Sequence, residues 1–331
     1  MRAAIIVALE EELSNAFDCL AGHGRFLAPK QSLKEGQTNF RYKLNDGLGK
    51  GSHVECEIFL INGMGNVAAS AFVGRSFLNF EPDLLISVGI SGSLNPNDVR
   101  LEDVVISNQV KYYAPDKIGE FSSTDKFTPI DSASTAKLES GEYHIDKRDI
   151  LDNVYLRYIR EHIVLSEFSP DLDLFLDFRQ DAANDASVLM RGASLVRGTI
   201  LGSHWVVDSD KYAQYLHWKN GNSDLDFYKL NKPAEYAQRC TWGDSGLHAV
   251  DMETYGFFKA LHFLNKTRRH KVPGFAIRGI SDYAAGKSEL DVKSGGSHRA
   301  KAVENAMLVT IEFLRFFAAQ NSVEGRVQGY R

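Results

Sequence analysis

The run Pro273-Gly274-Phe275-Ala276-Ile277-Arg278-Gly279-Ile280-Ser281-Asp282 reads as a short apolar strand that ends on a carboxylate. In open α/β sheets the ligand crevice lies at the carboxyl ends of the strands, so Asp282 stands where chemistry is expected. Two other apolar runs end the same way. Ala249-Val250 passes into Asp251-Met252-Glu253 as a helix begins, and Ala3 to Leu9 passes into Glu10-Glu11-Glu12. Residues 3–9 are apolar without alternation, which marks a strand buried on both faces in a parallel setting. These strand ends predict one site fed by acids from distant parts of the chain.

In chain order, a helix is expected from Glu10 to about Leu20, its acids complementing the helix dipole. Phe40–Leu44 and Val54–Ile61 alternate like half-exposed strands. The second breaks at Asn62-Gly63-Met64-Gly65-Asn66, where backbone N–H groups at a strand–glycine–helix junction can approach an anion or a sugar oxygen. The same residues match GxGxxA, a dinucleotide-binding fingerprint that calls for an acid at the end of the next strand. Glu81 and Asp83 precede that strand, Leu84–Gly89, instead of closing it, which argues against a dinucleotide site. Asp103–Val110 follows as another strand, so the sheet is expected to be mixed.

From about 112 to 191 the chain becomes rich in Ser, Thr, Asp and Lys. There Ile150, Leu151, Val154, Tyr155, Tyr158 and Ile159 recur at helical spacing. A helical insertion is expected there. Leu195–Gly202 is again strand-like and leads to Trp205, Val206 and Val207, with the indole of Trp205 able to stack on a flat base. Met252–Leu264 and about Ser297–Ala319 have apolar helical faces, and 321–331 is expected to be a tail. The predicted fold is therefore α/β, a single domain over about 1–320 with a mixed central sheet flanked by helices.

Composition narrows the function. With 331 residues, 44% hydrophobic and 24% charged, the chain suits an ordinary globular protein, and a net charge of -5 offers no footprint for nucleic acid or an anionic membrane. Cys19, Cys56 and Cys240 form no CxxC or Cys/His cluster, so no metal site is expected. No stretch approaches a membrane-spanning length, and the first apolar run is too short for a secretory signal. A cytoplasmic address is expected.

Acids at strand ends suit general acid/base work on a polar substrate, since burial can raise a carboxyl group's pKa into the range where it donates a proton near neutrality. Each acid could equally cap a helix or pair with a base. Five runs taken together carry a resemblance: Ala4–Glu12, Gly63–Ala69, Leu101–Val105, Ala249–Glu253 and Arg278–Asp282. In this order they resemble the nucleoside phosphorylase/nucleosidase superfamily, most closely its 5′-methylthioadenosine/S-adenosylhomocysteine nucleosidases. The resemblance covers both ends of the chain but not the region between Tyr112 and Arg191.

The resemblance implies that Asp282 is the general acid that protonates N7 of a leaving purine, with Ser281 helping to hold it. Met252 and Glu253 correspond to the ribose-binding pair, and Glu12 to the residue that activates the attacking water. Arg278, Met64 and Gly65 fall within motifs that line the substrate site. Trp205, Val206 and Val207 correspond to the base-binding loop, although the family usually has an aromatic where Val206 stands. Ile90 replaces a small hydroxyl residue, so Ser91 is expected to serve instead. Phosphorylases of the superfamily carry a glycine-led, arginine-containing phosphate loop after the first strand. Glu10-Glu11-Glu12 stands there in this chain, and the carboxylates would repel phosphate. The implied activity is hydrolysis of an adenosine-type nucleoside, without metal or organic cofactor, by a homodimer or higher homo-oligomer. The alternatives are a purine nucleoside phosphorylase and a nucleoside-sensing module with little turnover.

Overall fold

β1 (Arg2–Val7) shows how the layers are divided. Ala3, Ile5 and Val7 point into one hydrophobic core, and Ala4 and Ile6 into a second. In this computed structural model residues 1–27, 38–44, 54–113, 117–118, 159–160, 192–203, 206–208, 213, 216 and 246–328 are described, with side chains at all of these except 113, 117–118, 159–160 and 320–328. α1 (Glu10–His23) buries Leu13, Ala16, Phe17 and Leu20, one helical face, in the first core beside α5 (Ser297–Gln328). α2 (Asn66–Asn79) and α3 (Thr254–Thr267) fill the second core with Val73, Phe77, Phe257 and Leu261. The sheet is thus covered on both faces. That coverage is why its central strands read as continuous apolar runs rather than alternating ones.

β2 (Gly24–Phe26), β3 (Asn39–Leu44) and β4 (Glu55–Leu60) form an antiparallel flank. β4 then pairs parallel with β1, and β1 with β5 (Leu84–Ser93). β3 alternates as predicted. β4 does not: it is buried from Cys56 to Leu60, because it lies inside the sheet between β1 and β3. Its Glu57, which suggested an exposed face, is buried and accepts a 2.7 Å hydrogen bond from Asn39 Nδ2.

The remaining strands are β6 (Val104–Tyr113), β9 (Leu195–Ser203), β10 (Leu247–Asp251) and β11 (Gly274–Asp282). A separate antiparallel pair joins β7 (Lys117–Ile118) to β8 (Ile159–Arg160). The nine-stranded sheet runs β10-β9-β6-β11-β5-β1-β4-β3-β2, and β10 also pairs antiparallel with β5, Val250 opposite Gly92. That extra pairing closes β5, β11, β6, β9 and β10 into a ring. It carries the end of β10 to the end of β5, where β11 also ends. The expected mixed α/β domain is observed.

Three boundaries differ from expectation. β5 runs four residues past Gly89, because Ile280 and Asp282 of β11 continue to pair with it. α5 continues to Gln328, past the predicted end near Ala319 and through most of the predicted tail. Ile159, expected in a helix, lies in β8; short apolar runs cannot separate the two periods. Most of the predicted insertion, 112–191, lies outside the described residues. α4 (Lys287–Ser294) completes the described helices.

Candidate active site

Glu12 occupies the third position of α1. There its Oε2 reaches back to accept the Leu9 N–H at 3.0 Å, and its Oε1 accepts the Ile90 N–H of β5 at 2.9 Å. Glu10 and Glu11 on the same turn are exposed, and Glu12 is buried. Helix geometry makes the selection: of the run's acids, only the one at this position turns back onto the strand ends. Burial pushes the Glu12 carboxyl above its ordinary range, opposed by the two backbone N–H bonds and by the charge of Arg278.

Glu253 enters from the other side of the ring. Its Oε1 accepts the Gly65 N–H at 2.9 Å, across 188 residues of sequence. Gly65 has φ 106° and ψ 158°, a conformation open essentially to glycine, and this turn aims its N–H at the carboxylate. Asn66 braces the junction, its Nδ2 donating to the Ser203 carbonyl and its Oδ1 accepting the Gly256 N–H. Burial, then the nearby charge of Asp251, push Glu253 up to about 7. Glu12, Glu253 and Arg278 line one cleft with Ile6, Ala8, Ile61, Ser87, Val88, Gly89 and Ile90, about 210 Å³ including its open part.

Asp282 lies beside this cleft, not in its wall. It is buried at the end of β11, opposite Gly92 of β5. Its Oδ2 accepts from Ser281 Oγ at 2.8 Å, and its Oδ1 accepts the Ala284 N–H at 2.8 Å. Lys287 Nζ stands 3.5 Å from Oδ1, and the Lys287 N–H donates to Asp208, two residues beyond Val206. Two glycines of β5 make room for the two acids. A Cβ at Gly89 would come within 2.8 Å of Glu12 Oε1, and one at Gly92 within 2.7 Å of Asp282 Oδ1.

The other predicted residues are placed as follows. Arg278 is buried, with Nε on Asp251 at 2.5 Å and the far edge of its guanidinium on Ser87, so its donors serve the protein while its charge faces the cleft. Met64 and Val206 are exposed, Met252 is half-buried and Val207 is buried. Ser91 Oγ is buried with no hydrogen-bond partner among the described residues. Trp205 lies outside the described residues. Ile90 contributes an apolar wall to the cleft. Cys19 and Cys56 are pushed up to about 12 by burial and stay protonated, which suits neither a nucleophile nor a ligand. Among the described residues no group of His, Cys, Asp and Glu is arranged to hold a metal, and no helix is long and apolar enough to cross a membrane. Sequence reasoning gave no role to Asp251, Ser87, Asn66 or Lys287. Asp251 stood in a quoted motif, but its partner is 27 residues away on another strand.

A nine-stranded mixed sheet whose ring of strands gathers acids at its carboxyl ends defines a class, and comparison with known proteins gives it a name. The sequence matches the Phosphorylase superfamily over residues 2–315, and the chain belongs to that family. It is 31% identical over 119 residues to the 5′-methylthioadenosine/S-adenosylhomocysteine nucleosidase of Buchnera aphidicola subsp. Schizaphis graminum, a match spanning 35% of this chain and 43% of that protein. The fold is shared with the same-named enzyme of Neisseria meningitidis in complex with methylthio-immucillin-A (TM-score 0.52, 17% identity, 95% of this chain and 98% of that one). It is shared equally with the futalosine hydrolase of Helicobacter pylori strain 26695 (TM-score 0.53, 13% identity, 95% and 97%).

Proposed function

We propose that the protein is a nucleosidase that hydrolyses the N-glycosidic bond of an adenosine-type nucleoside, of the methylthioadenosine/S-adenosylhomocysteine kind, to free base and sugar. The observation that carries this reading is the pairing of Glu12 and Glu253 across one cleft lined by β5, with Asp282 beside it at the end of β11, opposite Gly92 of the same β5. In this reading the bond between C1′ and N9 breaks first, leaving oxocarbenium character on the sugar. Asp282 gives a proton to N7 of the departing purine, while Ser281 Oγ keeps its carboxyl oriented. Glu253 accepts hydrogen bonds from the sugar hydroxyls, held in place by the Gly65 N–H. Glu12 takes a proton from water as the water oxygen joins C1′. Burial raises its pKa above the ordinary carboxylate range, which makes it a stronger base.

Hydrolysis is favoured over phosphorolysis because the turn after β1 delivers a buried carboxylate, with Glu253 facing it, and an incoming phosphate would meet both. Ser91, whose hydroxyl has no described partner, supplies the polar contact that Ile90 lacks. The resemblance assigns Met64, Met252, Val206 and Val207 to the sugar and base surroundings; Trp205, assigned with them, lies outside the described residues. A cytoplasmic homodimer or higher homo-oligomer completes the reading, consistent with exposed apolar side chains on the α2 side, among them Met64, Val67 and Leu78.

The test is chromatographic. Purified protein is incubated with adenosine, methylthioadenosine, S-adenosylhomocysteine, AMP, inosine and uridine, with and without phosphate. Free adenine and free sugar without phosphate are expected. Strict phosphate dependence would make it a phosphorylase. Ligand-induced thermal stabilisation without cleavage would make it a binding module.

A further inference from the structure

Asp251 is a buried carboxylate that the mechanism above does not use. It ends β10 two residues before Glu253, yet it turns away from the cleft and toward Arg278. Its Oδ2 accepts from Arg278 Nε at 2.5 Å and from Thr254 Oγ1, and its Oδ1 accepts the Thr254 N–H at 3.1 Å. Both partners of the ion pair have side chains only 2% exposed. The opposite edge of the guanidinium is taken by β5, Nη1 donating to the Ser87 carbonyl at 2.9 Å and Nη2 to the Ser87 hydroxyl at 2.8 Å. Arg278 is therefore fixed from both sides, in a plane that borders the cleft.

We propose that Asp251 is a positioning residue for the hydrolytic reaction, which orients Arg278 and offsets the charge that Arg278 presents to Glu12 and Glu253. The proposal rests on the nucleosidase reading of the site. A buried guanidinium with no counter-charge would hold both carboxylates ionised, and a fully offset one would leave burial unopposed. Asp251 sets the balance between these limits. The charge of Arg278 from β11 is faced by Glu12 from α1 and Glu253 at the entry to α3, and Gly202 of β9 lies beside Asp251. β5 contributes the uncharged Ser87, and the start of α2 the Gly65 N–H. The electrostatics run in the same sense, with Asp251 raising Glu253 while Arg278 lowers both Glu253 and Glu12.

The experiment uses two variants with opposite expected signs. Asp251→Asn removes the counter-charge, so the acid limb of the kcat/KM profile moves to lower pH by about one unit. Its kcat falls by roughly tenfold or more as the guanidinium loses its hold. Thr254→Val removes a donor from the Asp251 carboxylate and leaves its charge less satisfied, so the limb moves to higher pH by less. A merely structural role would lower stability and leave both limbs where the wild type has them, and that result overturns the proposal. The same shift is read without catalysis from the pH dependence of the thermal midpoint. Wild-type stability falls as pH rises from 4.5 to about 7 through Glu253, and in Asp251→Asn this fall is smaller and ends at lower pH. Should the wild type cleave no nucleoside, the functional reading fails and the thermal titration still decides on Asp251. Should Asp251→Asn fail to fold, Thr254→Val decides through both readouts.

Discussion

The inner cleft around Arg278 and the outer edge around Asp282 use the same chemical group in opposite settings. In the inner region Glu12 and Glu253, with Asp251 behind them, surround a single described guanidinium in a buried space, and burial raises both cleft carboxyls. At the outer edge Asp282 is alone among donors: a hydroxyl from Ser281, an N–H from Ala284 and the ammonium of Lys287. Protonation inside is governed by how few charges can coexist without water. Outside, the arrangement is set by how many donors address each oxygen. Oδ1 of Asp282 is held by an N–H and an ammonium, while the partner of Oδ2 is a rotatable hydroxyl. A single strand, β5, serves both regions through glycines three residues apart.

The comparison predicts unequal responses to mutation. The largest effect is expected at the outer edge, where Asp282→Asn leaves the fold intact and removes the proton donor, lowering kcat by roughly 10³-fold. Steady-state rates beside a circular-dichroism melt check this, and near-wild-type activity would remove Asp282 from the mechanism. Glu12→Gln is expected to lower kcat by about 10² or more, with the acid limb of the rate profile abolished rather than displaced. Next come the shared glycines. Gly89→Ala pushes only on the Glu12 carboxyl and should cost about tenfold in kcat with a small change in melting temperature. Gly92→Ala pushes on Asp282 and also meets the Ala284 backbone N at 3.0 Å, so it should lower both kcat and the melting temperature. If both variants behaved alike in their pH profiles, the separation of the regions would be lost.

The inner region also makes a prediction for stability. Between pH 4.5 and about 7 folded Glu253 keeps a proton that the unfolded chain has released, so stability falls as pH rises across this window. The melting temperature should drop by roughly a few degrees over that range, and Glu253→Gln should flatten the slope. The smallest effect belongs to Lys287, whose ammonium is partly exposed and 3.5 Å from its partner. Lys287→Met should change kcat by about two- to fivefold, and an effect as large as that of Asp282→Asn would give Lys287 a direct part in proton transfer.

Much of this was legible in the sequence because it is local. Apolar runs identified β1 as a strand covered on both faces and β5, β9 and β11 as strands, and the residues that end or follow β1 and β11 identified Glu12 and Asp282. What was illegible depends on pairing between distant segments. No spacing rule links Val250 to Gly92, so the ring closure could not be read, nor the turn of Asp251 onto Arg278. β4 was read as half-exposed from Glu55 and Glu57, because local alternation cannot reveal that β3 covers its far edge. The convergence of acids was expected, but its division into a cleft and an adjoining edge follows from register, with Arg278 opposite Gly89 and Asp282 opposite Gly92. Asn66 and Lys287 act through contacts that no short motif encodes.

The position of β11 bears on how the chain is made. It is the last of the described strands in sequence, yet it lies in the middle of the sheet, between β5 and β6. On a ribosome, β5 and β6 are finished well over a hundred residues before the strand that joins them. Until then each presents an unpaired edge, a template for faulty association. The candidate site shares this schedule. Glu12 emerges well before Asp251, Glu253, Arg278 and Asp282, which arrive together in one later segment, so the candidate site is incomplete until the sheet is closed. Synthesis rate and chaperone access during that interval should therefore govern the yield of active protein more than the stability of the finished fold does.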